Sequence, residues 1–228
     1  MPQAETSALA ADTAGLPAPV ALHEDADLLV LCKPSGLLCV PGRGPDKQDC
    51  LSARAQQHWP GALIVHRLDQ ATSGLVLMAR HAEAQRRLSL AFEQRQIHKR
   101  YVAIVQGLVA EPPGSWADIH LPIAADWERR PLRVIDAEHG KPSHTRWRPL
   151  DHNTAAGTTR VELEPVTGRT HQLRVHLAAL GHPILGDALY ANAATQAQAP
   201  RLLLHAGELA LAHPTTGQAM RWELAADF

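Results

Sequence analysis

His66-Arg67-Leu68-Asp69-Gln70-Ala71-Thr72-Ser73-Gly74 follows directly on the apolar run Ala62-Leu63-Ile64-Val65 and leads into a second one, Leu75-Val76-Leu77-Met78-Ala79. Two short aliphatic runs separated by a turn-forming Thr72-Ser73-Gly74 read as two strands joined by a loop. Asp69 therefore leaves the end of a strand and faces a loop, where a rigid scaffold can hold a reactive side chain in front of a substrate. Arg67, two residues earlier, offers a cation to an anionic partner.

The flanking sequence continues the mixture of strands and helices. Leu28-Leu29-Val30-Leu31-Cys32 reads as a buried strand that stops at the turn Lys33-Pro34-Ser35-Gly36, followed by a loop through Val40-Pro41-Gly42-Arg43-Gly44-Pro45-Asp46. From about His81 to Gln96 the apolar residues Ala84, Leu88, Ala91 and Phe92 fall on one helical stripe, which leaves Arg86, Arg87 and Arg95 off it. Tyr101, Ala103 and Val105 alternate with Val102, Ile104 and Gln106, the period of a strand. Arg160 to Glu164 alternates likewise. After Thr167-Gly168-Arg169 comes a helix carrying Leu173, Leu177 and Leu180, with Thr170 as its expected N-cap, Gly181 as its stop and Arg174 beside the apolar stripe. Asp151 to Thr159 reads as a surface loop, and Leu202 to Trp222 as short strands around a turn at Pro214-Thr215-Thr216-Gly217. There is no regular strand-helix-strand repeat, so the expected fold is α+β, with a largely antiparallel, mixed central sheet flanked by helices and loops.

A chain of 228 residues that is 45% hydrophobic can bury a sizeable core. One catalytic domain is expected over residues 21–228, behind a flexible arm at 1–20 rich in Ala, Thr, Pro and Gly. Met1 to Val20 lacks the basic start and apolar core of a secretory signal, and no apolar run approaches the roughly 20 residues needed to span a bilayer, so a cytoplasmic protein without membrane contact is expected. Cys32, Cys39 and Cys50 show no CxxC spacing and suit a reducing compartment. The 14 histidines include no HExxH, and His171 and His176 stand five apart, so no metal is expected. GxxxxGK[ST] is absent, which argues against a nucleotide cofactor. A net charge of −1 is low for a protein that grips nucleic acid, yet the cations are clustered in three segments. Arg86, Arg87, Arg95, Lys99 and Arg100 form the first, Arg129, Arg130 and Arg133 the second, and Arg146, Arg148, Arg160, Arg169 and Arg174 the third. A near-neutral total can hide a basic face.

The string from His66 to Gly74 resembles the signature of the RluA family of RNA pseudouridine synthases. Lys99-Arg100-Tyr101-Val102-Ala103 with Gly107, Gly168-Arg169-Thr170-His171-Gln172-Leu173-Arg174-Val175-His176, Gly181 to Asp187 and Leu202 to Ala206 match in the family's order. The resemblance implies an isomerase that needs no cofactor and whose partner is RNA. It also implies, for a chain too short ahead of Leu22 to hold the separate N-terminal RNA-binding domain of some members, a monomer acting on 23S rRNA, on tRNA anticodon stem-loops, or on both. By the same resemblance Asp69 is the catalytic residue, Arg174 its basic partner and Tyr101 the ring that stacks on the target base.

Making pseudouridine breaks the bond from ribose to ring nitrogen, rotates the free uracil and rejoins it through carbon. A carboxylate can assist by attacking carbon or by removing a sugar proton, and the sequence does not choose between these. An aromatic face suits a base that must turn while detached. Leu173 is expected either to pack on the other side of that ring or to be core. Arg67 is expected to fill the gap left by an extruded base or to clamp a phosphate. His66 is expected in the substrate site or, equally, as a strand-closing hydrogen bond, and Arg169 and His171 complete the expected substrate-binding set. Competing readings are an N-ribosyl hydrolase, which would admit water at the same bond, and a non-catalytic RNA-binding protein on the same scaffold.

Overall fold

The computed structural model describes residues 19–110 and 114–228, so the expected arm lies, up to residue 18, outside the described residues. The elements are β1 (Val20–Glu24), β2 (Leu28–Lys33), α1 (Leu51–His58), β3 (Leu63–Ile64), β4 (Ser73–Ala79), α2 (Ala82–Glu93), β5 (His98–Gln106), β6 (Ala117–Ile119), β7 (Ile123–Ala125), β8 (Arg133–Ile135), β9 (Thr145–Asn153), β10 (Thr158–Pro165), α3 (Gln172–Ala179), α4 (Ala193–Gln196), β11 (Leu204–Ala212) and β12 (Ala219–Glu223). Ten strands form one sheet in the order β1-β2-β4-β11-β5-β10-β9-β6, with β12 on β11 and β3 on β4, and β7 and β8 form a separate hairpin. The single parallel pairing within this sheet joins β11 to β4, so the sheet is mixed and largely antiparallel, as expected from the sequence.

All seven residues of β4 are buried, because both of its faces are covered. Leu75, Leu77 and Ala79 pack with Leu28, Val30 and the α2 residues Ala84 and Leu88. Val76 and Met78 point the other way, into a cluster with Leu29, Leu31 and the α1 residues Leu51 and Ala55. A strand buried on both faces reads as an unbroken aliphatic run, which is the pattern of Leu28 to Leu31 and Leu75 to Ala79. A third cluster joins Ala103, Val105, Val161, Leu163 and Trp147 of the sheet to Leu173 and Leu177 of α3.

Several local expectations are corrected. Ser73 and Gly74 are not a turn but the first residues of β4, paired in parallel with His205 and Ala206. Gly74 has φ +118, and a Cβ there would lie 2.3 Å from the Ala206 carbonyl oxygen, so the glycine serves a close backbone approach. The N-cap position of α3 is held by His171 in the left-handed region, φ 58, rather than by Thr170. Leu180 is 40% exposed and does not extend the apolar stripe. Gly181, with φ +84, does stop the helix, the His182 N–H bonding back to the Leu177 carbonyl. Asp151 to Thr159 is mostly the paired ends of β9 and β10, with Thr158 and Thr159 buried, because the hairpin turn is shorter than its polar composition suggests. Val20, assigned to the arm, is already in β1.

The cationic segments do not merge into one basic face. Arg100 of β5 and Arg146 and Arg148 of β9 converge on the Trp116 ring and pair with Glu162 and Glu164 of β10 between them. Strand alternation puts Arg100 on the sheet face opposite Tyr101. Arg86 and Arg87 share Glu83. Four cations without a carboxylate partner among the described residues, Arg67, Arg95, Lys99 and Arg169, line the cavity described next.

Candidate active site

Asp69 lies in the loop between β3 and β4, and the turn after β2 holds that loop from beneath. Lys33, 2% exposed, donates from Nζ to the carbonyls of Pro34, Leu37 and Gln70 at 2.9, 2.6 and 2.9 Å. The Ser35 hydroxyl donates to the Ala71 carbonyl at 2.7 Å, and the Gly36 N–H to Gln70 at 2.9 Å. The Leu68 N–H donates to the Cys39 sulfur at 3.2 Å. Burial pulls the Lys33 ammonium down to about 8, against the opposing attraction of Cys39 and Asp69. Three carbonyl acceptors satisfy a cation there. With Gly74 pressed on β11, both ends of the Asp69 loop are fixed.

Arg174, on α3 and 4% exposed, approaches Asp69 from the other wall. Its Nη1 is 3.6 Å from Asp69 Oδ2, whereas Nε and Nη2 donate to Asp187 at 2.8 and 2.6 Å. The expected Asp69–Arg174 pair is thus the longer half of a three-member arrangement. A bidentate fork onto Asp187, itself 1% exposed, fixes the guanidinium plane and leaves one edge for Asp69. Asp187 also accepts the N–H groups of Leu189 and Tyr190. Sequence reasoning gave Asp187 no role, although it closes the matched string Gly181 to Asp187.

Tyr101 projects from β5 on the face shared with Ala103 and packs against two core clusters. Burial, with Asp69 and Cys39 nearby, pushes its hydroxyl well above the usual tyrosine range, so it stays protonated. Tyr101 and Asp69 line one cavity of about 700 Å³ together with Leu173, Arg174, His171 and Phe92. Leu173 is both core and wall, 7% exposed and part of the α3 cluster. Arg67, Arg95, Lys99 and Arg169 ring this cavity, and none has a carboxylate partner among the described residues. Arg169 rests on the Pro142 carbonyl at 3.4 Å, and the turn before α3 is organised by buried Gln172, whose Oε1 accepts from the Arg169 N–H and the Thr167 hydroxyl.

His66 takes the hydrogen-bonding alternative. Its Nε2 accepts the Leu77 N–H at 2.9 Å and its ring packs on Phe92 at 4.6 Å between centroids. Burial, then Lys99, lowers it to about 3, so it is neutral at pH 7 and ties the loop to β4, although its ring also borders the cavity. His171 Nε2 lies 3.9 Å from Asp69 Oδ2 and its Nδ1 lies 2.7 Å from the Tyr190 hydroxyl, a second residue that sequence reasoning left out. A further cavity of about 1060 Å³ adjoins on the far side of Asp69 and shares Arg67, Leu68, Asp69, His171 and Arg174 with the first. Among the described residues, the two places where three potential metal-ligand atoms converge, Asp118, His120 and His144, and Asp25, Asp27 and His213, line neither cavity.

This arrangement presents an orientable carboxylate, a fixed guanidinium beside it and an aromatic ring inside a cation-rimmed hollow. Residues 27–179 match the family model described as RNA pseudouridylate synthase. The Dual-specificity RNA pseudouridine synthase RluA of Escherichia coli (strain K12) is 46% identical over 92% of this chain and 94% of its own length. The protein of the same name from Yersinia pestis is 44% identical over 92% of this chain and 100% of its own length. Among solved structures, Human RNA Pseudouridylate Synthase Domain Containing 1 superposes with a TM-score of 0.76 at 30% identity, covering 92% of this chain and 84% of that one.

Proposed function

The chain belongs to the RNA pseudouridylate synthase family and is an RNA pseudouridine synthase, an isomerase; from that premise we propose that Asp69 performs the chemistry, with Arg174 as its charge partner and Tyr101 as the surface on which the detached uracil turns. The observation that carries this reading is the 3.6 Å approach of Arg174 Nη1 to Asp69 Oδ2, made while Asp187 holds the rest of the guanidinium, in the same cavity as Tyr101. Attack on carbon and removal of a sugar proton both use a carboxylate oxygen beside the sugar, and the fixed guanidinium flanks Asp69 where that oxygen would act.

The target nucleotide has to leave its stack to reach a cavity lined by Asp69 and Tyr101, at a cost of a few kcal/mol. Arg67, exposed and without a carboxylate partner among the described residues, fills the place of the departed base or holds a neighbouring phosphate. Leu173 closes the uracil site opposite Tyr101, and Arg169 contacts the backbone at the rim. The relatives' dual specificity extends to this chain in the same reading: a monomeric catalytic unit beginning with β1, cytoplasmic, acting on 23S rRNA and on tRNA anticodon stem-loops without a cofactor.

Asp69→Asn tests the assignment. The amide keeps the shape and loses the charge, so tritium release from RNA labelled at uridine C5 should fall by at least about a thousandfold while RNA affinity stays within roughly tenfold. Near-normal release by the variant removes Asp69 from the mechanism. Pseudouridine mapping in cells with and without the protein decides the substrates, since losses confined to one class of RNA exclude dual specificity.

A further inference from the structure

His171 sits at the junction of the two cavities, and three features set it apart. Its backbone is left-handed, φ 58 and ψ 16, immediately before α3, a conformation that costs energy for any residue with a Cβ. Its Nδ1 lies 2.7 Å from the Tyr190 hydroxyl, and that oxygen accepts the Arg133 N–H at 2.9 Å. That oxygen keeps its own hydrogen to donate, and when it donates to Nδ1 the proton of the neutral ring sits on Nε2, the tautomer the proposal below requires. Finally, Nε2 makes no hydrogen bond among the described residues, lies 3.9 Å from Asp69 Oδ2, and belongs to a ring that lines the cavity with Tyr101.

We propose that His171 is a further catalytic residue, donating its Nε2–H to the uracil as it detaches, and that Tyr190 is the positioning residue that fixes the required tautomer. Breaking the bond between C1′ and N1 sends the electron pair into the ring, where it spreads over N1 and the two carbonyl oxygens. A fixed donor stabilises such a developing anion without giving up its proton, so the histidine is unchanged when the ring rejoins through C5. Charge around the ring suits this role. Burial is the main influence lowering the affinity of His171 for a second proton, with Arg174 and Arg133 acting in the same direction against Asp69 and Asp187. The N-terminus of α3 adds a further positive influence, and a neutral imidazole polarising an oxygen from such a position is an established arrangement in other enzymes. The inference rests on the reading of Asp69 as the group at the reacting sugar.

The test compares single-turnover consumption of the target nucleoside in one RNA stem-loop carrying either uridine or 5-fluorouridine at the modified position. Fluorine withdraws electrons, so the fluorinated ring leaves as an anion with less help. His171→Ala and Tyr190→Phe should each slow the uridine RNA by roughly 10- to 100-fold, and the 5-fluorouridine RNA at least tenfold less. His171→Gln, whose amide can donate from nearly the same place, should recover part of the uridine rate. Melting temperature and RNA affinity are measured alongside, and Tyr190→Phe removes a single oxygen, so a folding defect cannot imitate the split between substrates. Equal slowing on both RNAs, or no slowing on either, overturns the proposal. Wild-type protein inert on both RNAs overturns the reading beneath it instead.

Discussion

Arg174 is bound to Asp187 more closely than to Asp69, at 2.6 Å against 3.6 Å. The tighter bond is the one farther from the Asp69 loop: Asp187 sets the guanidinium in place, so that Asp69 meets a cation already oriented.

Removing Asp187 should therefore damage both the fold and the reaction. Asp187→Ala strands a buried guanidinium, which costs about 3–5 kcal/mol when one partner of a buried pair is lost. In a chain of 228 residues this lowers the melting temperature by roughly 6–20 °C. Differential scanning calorimetry and tritium release measure the two effects. An Asp187→Ala protein that melts with the wild type shows that the pair carries no stability.

Tyr101 separates stacking from proton transfer. Tyr101→Phe keeps the ring face and should retain most of the RNA affinity and early-step rate, whereas Tyr101→Leu should lose about 1–3 kcal/mol of base capture. Single-turnover kinetics on 5-fluorouridine RNA distinguish the steps. If Phe is as damaged as Leu, the hydroxyl takes part in the chemistry.

Gly74→Ala should be costly although it adds one methyl group. The residue combines φ +118 with a Cβ position 2.3 Å from the Ala206 oxygen, so β4 and β11 must separate to admit it. The expected loss is about 2–5 kcal/mol, with turnover falling because the Asp69 loop ends where β4 begins. Urea denaturation with unchanged stability would mean that the parallel pairing tolerates the displacement.

The pH dependence of stability should carry the mark of His66. Its folded value, about 3, is depressed below the unfolded value near 6.5 by burial and then by Lys99. Between those values the unfolded chain binds a proton that the folded chain refuses, so stability falls as pH drops from 6.5 towards 3. His66→Gln, which cannot titrate, should show a shallower decline than the wild type across that window in pH-resolved melting curves. Parallel curves would place the acid sensitivity elsewhere, among the carboxylates.

Much of this was legible in the chain. Aliphatic runs marked β2 and β4, alternation marked β5 and β10, and the string around Asp69 pointed to the cavity that Asp69, Tyr101 and Arg174 line together. What could not be read has a common cause: it depends on partners distant in sequence. Gly74 looks like a turn until His205 and Ala206 are placed against it, and Arg174 looks like the partner of Asp69 alone until Asp187 folds beneath it. Tyr190 gains a role only once Arg133 and His171 converge on its oxygen. The arginine segments looked additive because a sequence does not show that Glu162 and Glu164 lie opposite Arg100, Arg146 and Arg148.

The position of β11 in the sheet imposes an order of events on the growing chain. It pairs with β4 along one edge and with β5 along the other, with Ser73 and His205 132 positions apart in sequence. Asp69 belongs to the side of β4 and Tyr101 to the side of β5, so the two come into register only when Leu204–Ala212 has emerged and slotted between them. Closing so long a loop is slow relative to local pairing. If Asp69 and Tyr101 act together as proposed, the site is completed only late in synthesis, once that strand is in place.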